Sequence, residues 1–370
     1  MLEILNQSSK REITIPLLQA VTEKAEEFKR RFGRKPSFME VCGSHTMALA
    51  KSGVKQALKD HVTLISGPGC PVCVTDQRSI DAMIALSEGE NRIICTFGDM
   101  MRVPGSTQSL MEMKTDGKDI RVVYSPVDAI AIAEENPDKE VIFLGIGFET
   151  TIPILSILVA EAEKKNLSNF SIWMTTKLVE PILRYLLALG EVELDGFLLP
   201  GHVAIVLGED GFAFLPQEFA ISGVISGFEP AELLSGIYKL ISLALEEEAT
   251  VINDHASIVS KAGNTVAQGL MSTYFEESDE AWRGIGTIPK SGLDLKPAYA
   301  RFNAKEKFHI ETKEPRKTKC RCGEIIRGLI TPEDCPLFGK ACTPRKPIGP
   351  CMVSTEGSCS ASYQYMRGSH

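Results

Sequence analysis

The sequence lacks the features of several large classes of protein. No apolar run approaches the ~18 residues that a membrane-spanning helix needs, and the longest run, residues 152–160, suits a buried core. Residues 1–11 are polar and have no apolar centre of the kind found in secretion signals. The formal net charge of −8 disfavours nucleic acids and anionic membranes as partners. We therefore expect a cytoplasmic protein with neither a nucleic-acid nor a membrane partner.

The composition is that of a soluble globular protein, apart from its cysteines. Hydrophobic residues make up 44% and charged residues 24% of 370 residues, which predicts two or three domains. Ten cysteines are present, and the cytosol keeps thiols reduced, so clustered cysteines indicate metal ligands or redox catalysts rather than a disulfide framework. Cys95 stands apart inside an apolar run, and we expect it to be a small buried side chain.

The pattern along the chain predicts an α/β fold with parallel sheets. An amphipathic helix over 16–31 is followed by short apolar runs that alternate with glycine turns and helical segments. Strands that are apolar throughout are typical of parallel sheets covered on both faces. A helical period continues from 230 to about 278, and the chain becomes irregular after Trp282. The predicted strands are 37–41, 62–65, 92–97, 121–124, 140–144, 170–174 and 196–199.

The α/β region contains a weak internal repeat. Residues 38–46 align with 143–151, and residues 97–105 align with 200–208 in the same order. The repeat predicts two α/β domains of similar design, with each repeated motif directly after a strand. Open α/β sheets bind ligands at the carboxyl ends of their strands, so we expect the two domains to face a cleft.

Six cysteines lie near the end of the chain, among prolines and glycines that leave little room for regular structure. Such a segment cannot bury enough apolar surface to order itself, so it needs a metal or a covalent crosslink. Structural zinc usually binds paired C-x2-C knuckles, whereas the only close pair here is Cys320-x-Cys322. Four thiolates from widely spaced loops favour an iron–sulfur cluster, with zinc as the alternative. The two surplus cysteines suggest a redox-active dithiol beside the cluster.

These features divide the chain into five predicted segments. A helix that packs on the C-terminal domain is followed by two α/β domains. A helical region then leads into an iron–sulfur domain, and the last four residues resemble the remnant of an expression tag. The segments are 1–35, 36–125, 126–228, 229–366 and 367–370.

Three further cysteines lie between predicted strands and helices. Cys42 is in the run Glu-Val-Cys-Gly-Ser-His-Thr, and Cys70 and Cys73 are in Gly-Pro-Gly-Cys-Pro-Val-Cys. A helix N-terminus stabilises a thiolate, and a C-x-x-C motif alone is typical of thioredoxin-like redox chemistry. Three thiolates at one cleft also suit a metal ion with an open coordination position. Taken alone, Cys42 is equally well explained as a buried thiol.

Polar residues near these cysteines are further candidates for the site. His45 would steer or protonate the neighbouring cysteine, or simply cap its helix. Asp99 and Arg102 would form an internal salt bridge or line a charged cleft wall. Glu149 is a candidate for the site or for a helix cap. His202 is either active or a buried histidine with satisfied hydrogen bonds.

The motifs, in this order, resemble those of the HypD family of hydrogenase maturation proteins. The resemblance runs through nearly the whole chain and implies a scaffold with thiol and iron–sulfur redox chemistry, rather than a conventional turnover enzyme. Such a scaffold assembles the Fe(CN)2CO group of [NiFe] hydrogenases. The resemblance also implies a HypC-like chaperone that holds the iron with this chain and a HypE-like protein that donates cyanide. The matching motifs are Cys42-Gly-Ser-His-Thr46, Gly67-Pro-Gly-Cys-Pro-Val-Cys73, Phe97-Gly-Asp99, Gly147-Phe-Glu-Thr-Thr151, Pro200-Gly-His202 and the C-terminal cysteines.

The resemblance further implies roles for the cysteines. Cys42, Cys70 and Cys73 would hold or service iron that carries cyanide and carbon monoxide, for which soft thiolates are suitable ligands. The C-terminal domain would bind a [4Fe-4S] cluster, and its likeness to ferredoxin–thioredoxin reductase suggests a disulfide against that cluster. The implied cluster ligands are Cys320, Cys335, Cys342 and Cys359, and the implied redox pair is Cys322 and Cys351.

Two other functions stay open on the sequence. A disulfide reductase of the ferredoxin–thioredoxin type would need Cys70 and Cys73 but not Cys42. A binding module crosslinked by zinc would have no redox role and would be colourless when purified. The scaffold differs from both because it requires all three cysteines together with an iron–sulfur cluster.

Overall fold

The computed structural model describes residues 11–366, so the predicted tag remnant and residues 1–10 lie outside the described part. The described part forms eleven strands. They are β1 (Ser37–Glu40), β2 (Thr63–Ser66), β3 (Arg92–Thr96), β4 (Ile120–Val122), β5 (Glu140–Gly145), β6 (Phe170–Met174), β7 (Gly196–Pro200), β8 (Ser222–Ser226), β9 (Val251–Asn253), β10 (Phe275–Trp282) and β11 (Gly286–Leu295).

The helices of the described part connect and cover these strands. They are α1 (Arg11–Phe32), α2 (Gly43–Lys51), α3 (Val54–Leu58), α4 (Pro71–Val74), α5 (Gln77–Leu86), α6 (Leu110–Thr115), α7 (Asp128–Glu135), α8 (Ile152–Lys164), α9 (Val179–Leu189), α10 (Gly201–Leu207), α11 (Phe214–Phe219), α12 (Pro230–Glu246), α13 (Thr265–Tyr274), α14 (Ala304–Phe308), α15 (Cys322–Ile326) and α16 (Ser358–Ala361). Short 3-10 turns include Gly98–Arg102 and Pro350–Met352. None of the helices in residues 11–366 is both long and apolar enough to cross a membrane.

Nine of the strands form two parallel sheets in the described part, which confirms the predicted α/β class. The first sheet has the order β2-β1-β7-β8-β9, and the second has the order β4-β3-β5-β6. Strands β5 and β6 are buried along almost their whole length, as expected for apolar strands with helices on both faces. The remaining two strands, β10 and β11, form an antiparallel hairpin.

The two sheets do not follow the predicted boundaries at residues 125 and 228. The chain leaves the first sheet after β2, builds the second sheet from β3 to β6, and returns to the first sheet with β7. One sheet therefore contains β2-β1-β7-β8 and the other contains the equivalent order β6-β5-β3-β4. Each sheet combines two strands from the first copy of the repeat with two strands from the second copy. The motif after β1 therefore lies in the same sheet as the motif after β7, which belongs to the other copy. Periodicity along the chain predicts strands but not which strands pair, and pairing sets the domains.

Helix α1 begins at Arg11, earlier than predicted, and packs along α12. Its side chains Val21 and Phe28 are almost fully buried, in one core cluster with Leu233 and Leu240 of α12. The same cluster contains strand residues of the first sheet. The helix therefore covers the first sheet together with α12, which lies within the predicted 229–366 segment.

The hairpin β10–β11 occupies a region that the sequence predicts as helical up to about 278 and irregular after Trp282. Strands β8 and β9 are also absent from the predicted set. A buried hydrogen bond joins the two strands of the hairpin. The fully buried Trp282 donates from Nε1 to Ser291 Oγ at 2.8 Å. Its first strand is rich in exposed acidic residues, so the alternation of apolar and polar residues that marks a strand is weak.

A candidate cysteine site at the carboxyl ends of the strands

Cys42 and Cys70 occupy equivalent positions between a strand and a helix. Cys42 follows β1 and is the N-cap of α2, with an extended backbone. Cys70 follows β2 and is the N-cap of α4, with Pro71 in the first turn of that helix. Cys70 and Cys73 form a disulfide, with Cα atoms 5.3 Å apart. The predicted strand–turn–helix setting of these cysteines is therefore present.

The turn before Cys70 lies directly on Cys42. A Cβ atom at Gly69 would overlap the backbone N, Cα and C atoms of Cys42, and such an overlap forces the backbone to shift. Strands β1 and β2 are neighbours in the sheet, so the glycine allows the two turns to come together. This contact brings the disulfide and Cys42 to one edge of the first sheet.

The environment of Cys42 disfavours its thiolate. Burial raises the pKa of the Cys42 thiol to about 11, although backbone N–H groups of His45 and Ser44 at the start of α2 act in the opposite direction. The Glu356 carboxylate raises this pKa further. A soft cation bound at the sulfur would reverse this balance, because metal ligation deprotonates a thiol.

His45 does not cap its own helix with its side chain. Its ring is fully buried, and its Nε2 lies 3.0 Å from the carbonyl oxygen of Gly227, which requires Nε2 to donate. The ring Nδ1 has no partner within the described residues. Burial lowers the pKa of His45 to about 4, so the ring is neutral near pH 7. It can accept a hydrogen bond or bind a metal through Nδ1, but it is a poor proton donor.

An aromatic stack places His202 on the same edge. Phe228 contacts two histidines, with its ring centroid 4.8 Å from that of His45 and 4.1 Å from that of His202. Burial lowers the pKa of His202, while Glu356 raises it and His255 lowers it. The residue is nevertheless exposed, so the interpretation of His202 as a fully buried, satisfied histidine does not apply.

Glu356 is a site residue that the sequence analysis does not identify. Its Oε1 accepts a hydrogen bond of 2.5 Å from the hydroxyl of Ser44. Two residues earlier, the hydroxyl of Ser354 lies 3.2 Å from Oδ2 of Asp99. This short segment therefore contacts α2 of the first sheet and the turn after β3 of the second sheet. Asp99 and Arg102 form no ion pair with each other among the described residues, so the predicted internal salt bridge is absent.

Glu149 lies at the carboxyl edge of the second sheet, after β5. One carboxylate oxygen accepts a hydrogen bond of 2.7 Å from the backbone N–H of Val179, the first residue of α9. The other oxygen is buried and has no partner within the described residues. Burial raises the pKa of Glu149 to about 7. Glu149 thus caps a helix, which is one of the two roles that the sequence leaves open for it.

The six C-terminal cysteines surround one small cavity. Cys320, Cys322, Cys335, Cys342, Cys351 and Cys359 all line it. The sulfurs of Cys320 and Cys322 are 3.0 Å apart, and Cys322 also contacts Cys351. Burial raises the pKa of Cys359, and nearby cysteine sulfurs raise it further. No disulfide joins Cys322 to Cys351 in the described part of the chain, so that pairing stays a prediction.

The cavity has two features that suit a group held by several sulfurs. A Cβ atom at Gly349 would lie 2.5 Å from the sulfur of Cys322 and 2.8 Å from that of Cys320, so glycine leaves room at the cavity wall. The backbone N–H of Ile348 donates to the sulfur of Cys342 at 3.3 Å, and hydrogen bonds to sulfur tune iron–sulfur clusters. The donor set therefore fits a thiolate-bound cluster.

The C-x-x-C helix lies against the cysteine cavity. Helix α4, which contains Cys73, packs on α15, which begins at Cys322, and on the 3-10 turn that contains Cys351. Arg283 in the β10–β11 turn holds α4 in place. Its backbone N–H donates to the carbonyl of Val74 at 2.8 Å, and its guanidinium donates to that of Thr75 at 2.9 Å. The helix that contains Cys73 therefore packs against the two elements that contain Cys322 and Cys351.

Known proteins resemble this chain over almost its whole length. The profile of the HypD family, described as "Hydrogenase formation hypA family", matches residues 16–366. The chain belongs to the HypD family. Within this family it is 43% identical over 367 residues to hydrogenase maturation factor HypD2 of Bradyrhizobium diazoefficiens, covering 96% of this chain and 95% of that protein. It is 40% identical over 356 residues to hydrogenase maturation factor HypD of Escherichia coli, covering 96% and 95%.

A site for a single metal ion and a site for a cluster differ in their geometry. Within residues 11–366, no three His, Cys, Asp or Glu side chains are arranged to bind one metal ion. A disulfide offers no thiolates, so Cys70 and Cys73 must be reduced before they can bind iron with Cys42. A [4Fe-4S] cluster takes one thiolate from each of four cysteines around its edge. Its ligands therefore surround a cavity, as the C-terminal cysteines do.

Proposed function

We propose that this chain is a hydrogenase maturation factor that acts as a redox scaffold for the assembly of the Fe(CN)2CO group. The observation that carries the proposal is the contact of α4, with the Cys70–Cys73 disulfide, against both α15 and the Cys351 turn. This contact joins the C-terminal cysteines to the edge where Gly69 packs on Cys42. Membership of a family of maturation factors supports the proposal from an independent direction.

In the proposed mechanism, the chain first opens its own disulfide. Two electrons and two protons convert Cys70 and Cys73 to thiols, and the electrons enter through the C-terminal cysteines. A [4Fe-4S] cluster held there, by Cys320, Cys335, Cys342 and Cys359, would supply one-electron redox chemistry. The neighbouring Cys322 and Cys351 would act as the dithiol that passes electrons to α4.

The thiols so formed then serve the iron, which is the cargo of the scaffold. Cys42, Cys70 and Cys73 would bind iron as thiolates while cyanide and carbon monoxide are attached. The neutral His45 has no partner for Nδ1 among the described residues at the same edge, and this nitrogen is able to accept a hydrogen bond there. A HypC-like chaperone would complete the iron site, and a HypE-like protein would donate the cyanide.

Asp99, Glu149 and His202 have supporting roles in this proposal. Asp99 contacts Ser354 and so connects the second sheet with the cysteine-rich tail. His202 stacks on Phe228 next to His45 and presents an exposed ring to the edge. Glu149 fixes the start of α9 and acts through the position of the second sheet rather than by contact with iron.

Infrared spectroscopy of the anaerobically purified protein, co-expressed with its partners, tests the proposal. Cyanide and carbonyl stretches absorb where ordinary proteins do not, so the expected result is their appearance in the wild type. We expect Cys42→Ala to lose these bands but keep the brown colour of the cluster, and Cys342→Ala to lose the cluster. Stoichiometric zinc without iron after anaerobic reconstitution would refute the redox scaffold.

A disulfide reductase is the second candidate, and the Cys70–Cys73 disulfide beside the C-terminal cysteines specifically favours it. It would reduce a protein disulfide without binding iron and would not need Cys42. Reductase activity that survives in Cys42→Ala, without infrared bands in the wild type, would decide for this alternative. Loss of maturation in Cys42→Ala, with the cluster intact, would decide for the scaffold.

A further inference from the structure

An open basic groove lies beside the C-terminal cysteine cavity. It is formed by the loop after the Gly98–Arg102 turn, by residues 315–320 and by residues 344–349. Seven of its side chains are Lys or Arg, and only two, Asp76 and Glu112, are acidic. The chain as a whole has a net charge of −8, so this local concentration of positive charge is opposite in sign to the net charge of the protein.

Most of the basic side chains of this groove are available to bind an external partner. Arg283 is engaged with Thr75 and with Gln77. The other six form no ion pair with any residue in the described range 11–366, and all six are exposed. They are Arg102, Arg316, Lys317, Lys319, Arg345 and Lys346. Basic side chains without ion-pair partners around one concave surface attract an acidic partner and speed its association.

The groove and the cysteine cavity share part of their lining. Cys320, Cys322 and Gly349 line both. Among the free cysteines of the described residues, Cys320 is the one that is not buried. The groove is therefore the place where the buried group of sulfurs comes closest to solvent. An electron carrier docked there would lie close to the sulfurs of the C-terminal cysteines.

We propose that the groove docks an acidic one-electron carrier protein of the ferredoxin class, which delivers electrons through Cys320. The inference rests on the proposed function, because it names the reductant that the scaffold requires. In each encounter the carrier is oxidised by one electron, which enters this chain at the C-terminal cysteines. A cluster held by these cysteines would supply the one-electron redox chemistry. Two encounters supply the two electrons that, with two protons from water, convert the Cys70–Cys73 disulfide to two thiols.

A nucleic acid is the other polyanion that a basic groove attracts, but two observations favour the carrier. The net charge of −8 repels a long polyanion that extends beyond the groove, whereas the acidic face of a small protein can contact the groove alone. The groove also ends on cysteine sulfurs, which are poor hydrogen-bond donors to phosphate. Electron-transfer complexes are held by small, weak interfaces, and the open, charged groove suits an interface of that kind.

The test compares two triple variants of the full chain with equal change in net charge. The groove variant is Arg316→Glu/Lys317→Glu/Arg345→Glu, which leaves every cysteine and its sequence neighbours unchanged. The control is Arg30→Glu/Lys51→Glu/Lys261→Glu, whose side chains are exposed and lie outside the groove. Iron content and circular dichroism establish that both variants fold and carry the cluster.

Two measurements use an acidic plant-type [2Fe–2S] ferredoxin as the probe. Isothermal titration calorimetry with oxidised ferredoxin measures binding without electron transfer, at about 20 mM and about 300 mM salt. Anaerobic stopped-flow absorbance with reduced ferredoxin measures the rate of electron delivery. We expect the groove variant to lose at least about tenfold in both affinity and rate at low salt, and the control variant to behave like the wild type.

Several results would overturn the inference. Equal binding and equal reduction rates in the two variants would show that the groove is not the docking site. Binding of a single-stranded DNA oligonucleotide that the groove variant loses, without ferredoxin binding, would assign the groove to nucleic acid. A wild-type protein that contains no iron–sulfur cluster would refute the proposed function itself, whereas a loaded cluster with failed docking would refute only the carrier.

Discussion

The hydroxyl of Ser44 donates a hydrogen bond of 2.5 Å to the carboxylate of Glu356, although 312 residues separate them along the chain. Ser44 is in the first turn of the helix that Cys42 caps, and Glu356 lies between Cys351 and Cys359 of the tail. The bond therefore connects the two groups of cysteines. It also places a negative charge close to Cys42 and His202.

The first prediction concerns this charge. Glu356→Gln keeps the size of the side chain but removes its charge, so we expect the pKa of His202 to fall, because Glu356 raises it. The pKa of Cys42, raised to about 11 with a contribution from Glu356, should also fall. NMR titration of the histidine ring protons and pH-dependent alkylation of Cys42 measure the two shifts. Glu90→Gln, at an exposed site, is the control, and identical titrations in both variants would contradict the prediction.

The second prediction concerns the contact of Gly69 with Cys42. Gly69→Ala would push a methyl group into the Cys42 backbone, so we expect the free energy of unfolding to fall by about 1–3 kcal/mol. Gly269→Ala is the matched control, because its Cβ meets nothing within 4 Å and it lies inside helix α13. That change should stabilise the protein by about 0.5–1 kcal/mol. Denaturant unfolding measures both, and a neutral Gly69→Ala would disprove the close contact.

The third prediction concerns a buried ion pair under the hairpin. Lys177 Nζ lies 2.6 Å from Glu280 Oε2, and the two side chains are 0% and 7% exposed. Removing one buried partner leaves the other charge uncompensated, which costs about 3–5 kcal/mol. Lys305, 3.4 Å from the same carboxylate, would still compensate part of the Glu280 charge. We therefore expect Lys177→Met to lower the free energy of unfolding by about 3 kcal/mol.

The exposed pair Arg78–Glu314, with side chains 60% and 87% exposed, is the control for the buried pair. Solvent screens this pair, so Arg78→Met should change stability by less than about 1 kcal/mol. Similar costs for Lys177→Met and Arg78→Met in the same denaturant series would mean that the buried pair is not a significant source of stability.

The fourth prediction concerns the pH dependence that Glu149 causes. Burial raises its folded-state pKa from 4.5 to about 7, so between these values the folded state binds the additional proton. The contribution is fully present below about pH 4.5 and is lost as the pH rises to about 7, so stability falls in this window. The shift corresponds to about 3 kcal/mol.

Glu149→Gln tests this slope, because it retains an oxygen that can accept from the Val179 N–H. We expect the wild type to lose about 3 kcal/mol more than the variant between about pH 4.5 and about pH 7.5. Other groups titrate equally in both proteins, so the difference isolates Glu149. Parallel stability curves for the two proteins would show that Glu149 titrates normally.

The local elements and the places of the first three site cysteines within them were predictable because they depend on short stretches of sequence. The seven predicted strands match β1 to β7 within about two residues at each end, since apolar runs between glycine turns define them. The positions of Cys42, Cys70 and Cys73 after strands follow from the same pattern. The hairpin β10–β11 escapes prediction because it depends on the burial of Trp282 against its partner strand rather than on alternation within either strand.

The sequence by itself determined strands β1 to β7, the motifs that follow them and the collection of cysteines. The tertiary structure alone decided which half of the repeat pairs with which, since strand order is set by hydrogen bonds between segments far apart in the chain. It also decided that α4 lies against Cys322 and that Glu356 reaches Ser44. Periodicity records which face of an element is buried, but it carries no information about the element that buries it. Contacts across hundreds of residues therefore become visible only in the folded chain.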